Sequence, residues 1–101
     1  MEKEEEGKLA DFNIYESDQF RRKLRKLGKH PEKIIDKKIT EYIVPLLKKE
    51  PRIGPNIKKL KGYTPEIWRY RFGDYRIFYQ ILDDKKEVWL ITADNRKDAY
   101  T

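Results

Sequence analysis

The sequence predicts an α+β fold: two N-terminal helices packed on a small, mainly antiparallel four-stranded sheet, in the order β-α-α-β-β-β. Two alternating, aromatic-rich runs, 68–72 and 75–82, meet at Gly73-Asp74, the pattern of a hairpin closed by a two-residue turn. Apolar residues recur at helical spacing between Phe20 and Leu47, as on a helix with one face against a core. A further apolar run, Val88-Trp89-Leu90-Ile91, follows the polar turn Asp83-Asp84-Lys85-Lys86.

A chain of 101 residues suits one modest core. The expected division is a flexible acidic tail over 1–10 and a single domain over 11–101, because MEKEEEGKLA holds too little apolar surface to offset its ordering entropy. Charged residues make up 42% of the chain, and Lys plus Arg outnumber Asp plus Glu by 24 to 18. The resulting net charge of +6 favours a polyanionic partner, with nucleic acid the first expectation. The absence of cysteine excludes disulfides, a thiolate nucleophile and cysteine-based zinc. The single histidine, His30, lacks a second for a metal pair or an imidazole acid-base couple, and the turn Lys29-His30-Pro31 places it in a loop. No cofactor and no metal are expected. Without an apolar run of about 20 residues or a secretory signal, the chain reads as cytoplasmic with no membrane partner.

Phe12-Asn13-Ile14-Tyr15 alternates briefly as a short first strand. Ser17 or Asp18 can cap the helix that follows, whose stripe Phe20, Leu24, Leu27 stops at Gly28. Pro31 suits the start of a second helix carrying Ile34, Ile35, Ile39, Tyr42, Ile43, Leu46 and Leu47. Pro45 lies inside it; without an N–H to bond position 41, it predicts a kink or a break. The segment 50–56 (EPRIGPN) is a loop, and Ile57 to Gly62 leads from it toward the hairpin. Its lysines Lys58, Lys59 and Lys61 extend a basic surface. Val88 to Ile91, apolar on both faces, is a strand buried on both sides or covered by a partner on one.

The Gly73-Asp74 turn, of type I′ or II′ with Gly73 at positive φ, fixes the register. Phe72 faces Tyr75, Arg71 faces Arg76, Tyr70 faces Ile77 and Arg69 faces Phe78. Trp68, Tyr70, Phe72, Tyr75, Ile77, Tyr79 and Ile81 then share the core face, while Arg69, Arg71, Arg76, Phe78 and Gln80 share the other. Like charges directly opposed across a strand pair are destabilising, so an Arg71/Arg76 pair beside Arg69 calls for an anion.

Three segments carry a resemblance to the RelE/ParE toxin superfamily: Lys59-Leu60-Lys61-Gly62, Trp68-Arg69-Tyr70-Arg71-Phe72-Gly73-Asp74-Tyr75-Arg76, and Asn95-Arg96-Lys97-Asp98-Ala99-Tyr100. Their order matches the predicted elements, and the likeness spans roughly residues 12 to 100. The resemblance implies a small toxin of a type II toxin-antitoxin system, silenced by a cognate antitoxin that covers its sheet face. RelE-like members cleave mRNA in the ribosomal A site without metal; ParE-like members share the fold and poison DNA gyrase. Fold alone does not choose between them, and the arginines lean toward RNA cleavage, with a gyrase inhibitor or an attenuated antitoxin-binding member as the alternatives.

By position, the RelE-like pattern implies catalytic roles for Arg69, Arg71, Arg76, Arg96 and Tyr100. RNA contacts are expected at Lys58, Lys59, Lys61 and Lys97, and antitoxin contacts at Arg69, Arg71, Arg76 and Phe78. The partners implied are the cognate antitoxin and mRNA on the ribosome. The chain departs from the pattern in its proton-transfer groups. Arginine, which does not deprotonate in proteins, stands at both first-strand positions where relatives carry a lysine base, and Asn95 stands where many carry histidine. Tyr100 then needs a phenol pKa lowered by neighbouring arginines, or the ribosome supplies part of the chemistry.

Overall fold

The computed structural model describes residues 11–95. In chain order these form β1 (Asn13–Glu16), α1 (Asp18–Leu27), α2 (Lys29–Lys38), a π-helical turn (Ile39–Ile43), α3 (Val44–Lys49), β2 (Ile57–Lys59), β3 (Trp68–Phe72), β4 (Tyr75–Leu82) and β5 (Glu87–Asn95). The α+β class holds, with two corrections to the sheet. It has five strands, in the order β1-β5-β4-β3-β2, and it is mixed, because β1 runs parallel to β5 while the other neighbours are antiparallel. The added strand, β2, is three residues long. It pairs the otherwise open edge of β3 through Ile57↔Tyr70, Lys58↔Arg69 and Lys59↔Trp68, satisfying backbone groups that the hairpin leaves free.

Ser17 is the N-cap of α1: its Oγ accepts the Phe20 N–H at 3.0 Å and donates to the Ile91 carbonyl at 3.0 Å. One hydroxyl thus caps the helix and ties it to β5. Gly28, at φ 114°, ends α1 and begins α2. The second helix starts at Lys29 rather than Pro31, so His30 lies exposed in its first turn and not in a loop. Three carboxylates around Arg21 hold these elements together: its guanidinium bonds Glu16 on β1 and Glu32 and Asp36 on α2 at 2.6–3.0 Å. Hydrogen bonds to these carboxylates, Asp36 first, push its pKa up.

The kink or break expected at Pro45 takes the form of a π turn, Ile39–Ile43, which divides the helical run into α2 and α3. The chain widens into this turn just before the proline, and the Val44 N–H bonds the Ile39 carbonyl five residues back. A π turn redirects the carbonyls that proline cannot use. Ile43 and Leu47 flank the site and are fully buried; each gains about 1.5–3 kcal/mol from burial, which together offsets the ~3 kcal/mol of a mid-helix proline.

The helices cover one face of the sheet. Phe20, Leu24, Ile35, Ile43 and Leu47 meet Tyr70, Ile77, Tyr79, Val88 and Leu90 there, all buried. The β3–β4 register is the predicted one, including Arg71↔Arg76 and Arg69↔Phe78. Gly73 has φ 55° and Asp74 does not have positive φ, which selects the II′ class of turn.

Candidate functional site

The face of the sheet turned away from the helices carries the residues of interest. Cross-strand partners share a face and side chains alternate along a strand, so the register assembles rows across β2 to β5. One row is Lys58, Arg69 and Phe78, reaching Thr92 on β5; the next is Arg71, Arg76 and Asp94. A third runs Gln80, Trp89 and Tyr15, where the Trp89 and Tyr15 rings stack at 5.0 Å. Val88 and Leu90 are buried under the helices while Trp89 and Ile91 are half-buried on the open side. Of the two expectations for this strand, full burial on both sides is therefore excluded.

A β-bulge decides what reaches the open face. Between Phe78↔Thr92 and Tyr79↔Leu90 the register shifts, leaving Ile91 without an opposite residue. Simple alternation from Val88 and Leu90 would turn Thr92 and Asp94 toward the core. The extra residue reverses that phase, so Ala93 is buried instead and Asp94 comes to lie opposite Arg76.

That placement changes the reading of Arg76. Its Nε donates to Asp94 Oδ1 at 2.8 Å and its Nη2 to Asp94 Oδ2 at 2.9 Å, a two-pronged charge-assisted pair. The anion that the Arg71/Arg76 juxtaposition called for is supplied, for Arg76, from within the chain. Arg76 also lies over the Phe78 ring, 5.9 Å from its centroid. Asp94 is a residue that sequence reasoning missed, and only a signal for the bulge would have found it.

Arg69 and Arg71 are different. They line an open cleft of about 540 Å³ with Pro55, Asn56, Phe72 and Gly73. Arg71 is exposed, and the Nε of Arg69 is buried without a hydrogen-bond partner among the described residues. A buried, unpaired guanidinium donor costs free energy until an acceptor reaches it. Asn56 is held against β3 by the Arg71 N–H, which donates to its carbonyl at 3.0 Å.

The other predicted contacts divide. Lys58 pairs with Arg69 across β2–β3 and shares its face, whereas Lys59 points to the opposite side and meets Glu66 at 3.5 Å. Lys61 is exposed just beyond β2. Arg96, Lys97 and Tyr100 lie outside the described residues, as does the 1–10 tail. Two further features went unread in the sequence. Arg22, Lys23 and Lys26 on α1 line a cavity of about 240 Å³ with Gln19 and Thr92, so the basic surface continues from the sheet onto the helix. An apolar cavity of about 270 Å³ lies beside Phe78, walled by Leu60, Tyr63, Ile67, Ile91 and Thr92. Among the described residues no group of three or more His, Cys, Asp or Glu could hold a metal ion.

Residues 14–100 match the profile of the ParE toxin of type II toxin-antitoxin systems, parDE. No curated protein sequence matches the chain. Among solved structures, the isolated Escherichia coli RelE toxin is 28% identical, with a TM-score of 0.58 over 85% of this chain and 84% of that one. The toxin in the RelB-RelE complex from Methanococcus jannaschii is 27% identical, with a TM-score of 0.58 over 85% of this chain and 94% of that one. The RelBE2 toxin-antitoxin complex from Mycobacterium tuberculosis gives 25% identity and a TM-score of 0.68 over 86% of this chain and 93% of that one.

Proposed function

This chain belongs to the ParE toxin family of type II toxin-antitoxin systems, within the RelE/ParE superfamily, and we propose that it acts as a RelE-type endoribonuclease that cleaves mRNA on the ribosome. The observation that carries this reading is the Arg69–Arg71 cleft, whose Arg69 has a buried Nε–H without an acceptor among the described residues. In metal-independent cleavage the 2′-OH gives up its proton and its oxygen attacks the adjacent phosphorus. The P–O5′ bond breaks to leave a 2′,3′-cyclic phosphate and a 5′-oxygen that takes up a proton as 5′-OH, and negative charge builds on the phosphoryl oxygens on the way. Arginine forks aimed at those oxygens stabilise that charge. Arg69 and Arg71 supply this cation pair, with Arg76 and Arg96 completing it and Lys58, Lys61 and Lys97 holding flanking phosphates. Lys59 contributes less, because it faces the other side of the sheet. Arginine cannot take the 2′-OH proton, so that step falls to Tyr100 or to a group of the ribosome.

The partner that silences the toxin is an antitoxin of the RelB type, since solved relatives at 25–27% identity are RelB complexes. A segment with acidic and apolar residues would cover Arg69, Arg71 and Phe78, and its binding would weaken with salt.

The test is a translation-coupled cleavage assay. Wild type should truncate message at the ribosome, and Arg69→Ala plus Arg71→Ala should slow this at least about 100-fold. Intact message with folded wild type sinks the reading. If supercoiling by purified gyrase falls instead, the protein is a gyrase-directed member; if neither target responds but antitoxin binds tightly, it is an attenuated one.

A further inference from the structure

We infer that Asp94 is a positioning residue for Arg76, gripping one edge of the guanidinium so that its other edge is presented to a phosphate of the bound nucleic acid. The inference takes its substrate from the ribonuclease reading above; its geometry stands on the pair itself. Arg76 has five N–H donors in a fixed plane. Asp94 uses two of them, on Nε and Nη2, and thereby fixes that plane. Nη1 takes no part in the pair, and together with the second N–H of Nη2 it forms the end-on edge of the fork, which matches two oxygens of one phosphate.

The row in which the pair sits explains why such a grip is needed. Arg71 stands directly opposite Arg76 on one side, and Asp94 stands directly opposite on the other. Alone, the two arginines would repel and Arg76 would sample several rotamers. The carboxylate on β5 decides which way it leans, and the contact with the Phe78 ring restricts it from a second direction. Both members of the pair are partly open to solvent, at 31%, so a ligand can approach without unfolding the strand.

Displacement of Asp94 by the phosphate is the competing arrangement, and electrostatics disfavours it. A released carboxylate would be left on a strand position beside the incoming anion, like charge against like charge. Binding with the pair intact keeps one cation between the two anions.

A double-mutant cycle on single-turnover cleavage of ribosome-bound message tests this. Asp94→Ala should slow cleavage about 10- to 100-fold, as loss of orientation does, and should produce no slowing in an Arg76→Ala background. An equal loss in both backgrounds, or no loss in the first, overturns the inference. A second measurement needs no cleavage. In protein labelled with ¹⁵N-arginine, a short single-stranded DNA oligonucleotide, which lacks the 2′-OH, should perturb the Arg76 Nη signals while the Nε–H signal stays sharp; Asp94→Ala should broaden that Nε–H signal. Loss of the Nε–H signal on adding the oligonucleotide, or no response of the Nη signals, overturns the inference. A protein that passes this second test yet leaves message intact refutes the ribonuclease reading and keeps the role of Asp94.

Discussion

The Tyr79 hydroxyl donates to the Pro51 carbonyl at 2.6 Å, and both residues are fully buried. This bond pins the 50–56 segment to the middle of β4 from the core side. The same segment places Pro55 and Asn56 along the Arg69–Arg71 cleft on the other side, so a core contact sets one wall of the functional face.

Tyr79→Phe should therefore destabilise the protein by about 1–3 kcal/mol, because the Pro51 carbonyl is left buried and unpaired. Urea denaturation measures it, and a change below about 0.3 kcal/mol would show that water replaces the hydroxyl.

Alkaline pH should reveal the same residue. Burial raises the Tyr79 phenol pKa well above its ordinary value, against a smaller opposing effect of Arg52. A raised folded-state value means that the stabilisation is complete below the unfolded tyrosine pKa of about 10 and is lost as pH rises above it. Urea midpoints of wild type should fall more steeply between about pH 10 and 11 than those of Tyr79→Phe; parallel curves would contradict this.

Gly73→Ala tests the turn. Gly73 has φ 55° and a Cβ there would meet nothing within 4 Å, so the cost is purely that of the backbone, about 1–2 kcal/mol. Thermal unfolding of the two proteins compares it, and an unchanged midpoint would mean that the hairpin accepts a different turn.

Arg71→Ala separates stability from function. Removing one of two opposed like charges should leave stability unchanged or raise it by up to about 0.5 kcal/mol, while the cleavage rate falls at least about tenfold. A variant destabilised by more than about 1 kcal/mol would show that Arg71 serves the fold instead.

Arg21→Ala leaves Glu16, Glu32 and Asp36 facing one another without their shared cation. The network is partly exposed, so the loss should be about 1–2 kcal/mol and should shrink in high salt, which screens the remaining carboxylates. A loss independent of salt would assign the effect to packing of the side-chain stem.

Much of this architecture is local and was readable as such. The hairpin register follows from a glycine between two alternating runs, and the cap at Ser17 and the stop at Gly28 are side-chain and backbone chemistry within a few residues. Those features place Arg69, Arg71 and Arg76 on one face before any tertiary contact is known. What the chain's neighbours in space decided is different in kind. β2 is three residues, two of them lysine, with no periodicity to announce it; it exists because the edge of β3 offers unpaired backbone groups. The parallel pairing of Ile14 with Val88 joins segments at opposite ends of the chain, and Pro45 is absorbed by a π turn because buried residues on both sides hold the helix in place. The bulge at Ile91 reverses the alternation of β5, and through it Asp94 meets Arg76. Sequence alone set three arginines on a common face because alternation is a property of one strand; whether each arginine is free or already paired depended on a phase shift in another strand, which only packing against β4 and the helices determines.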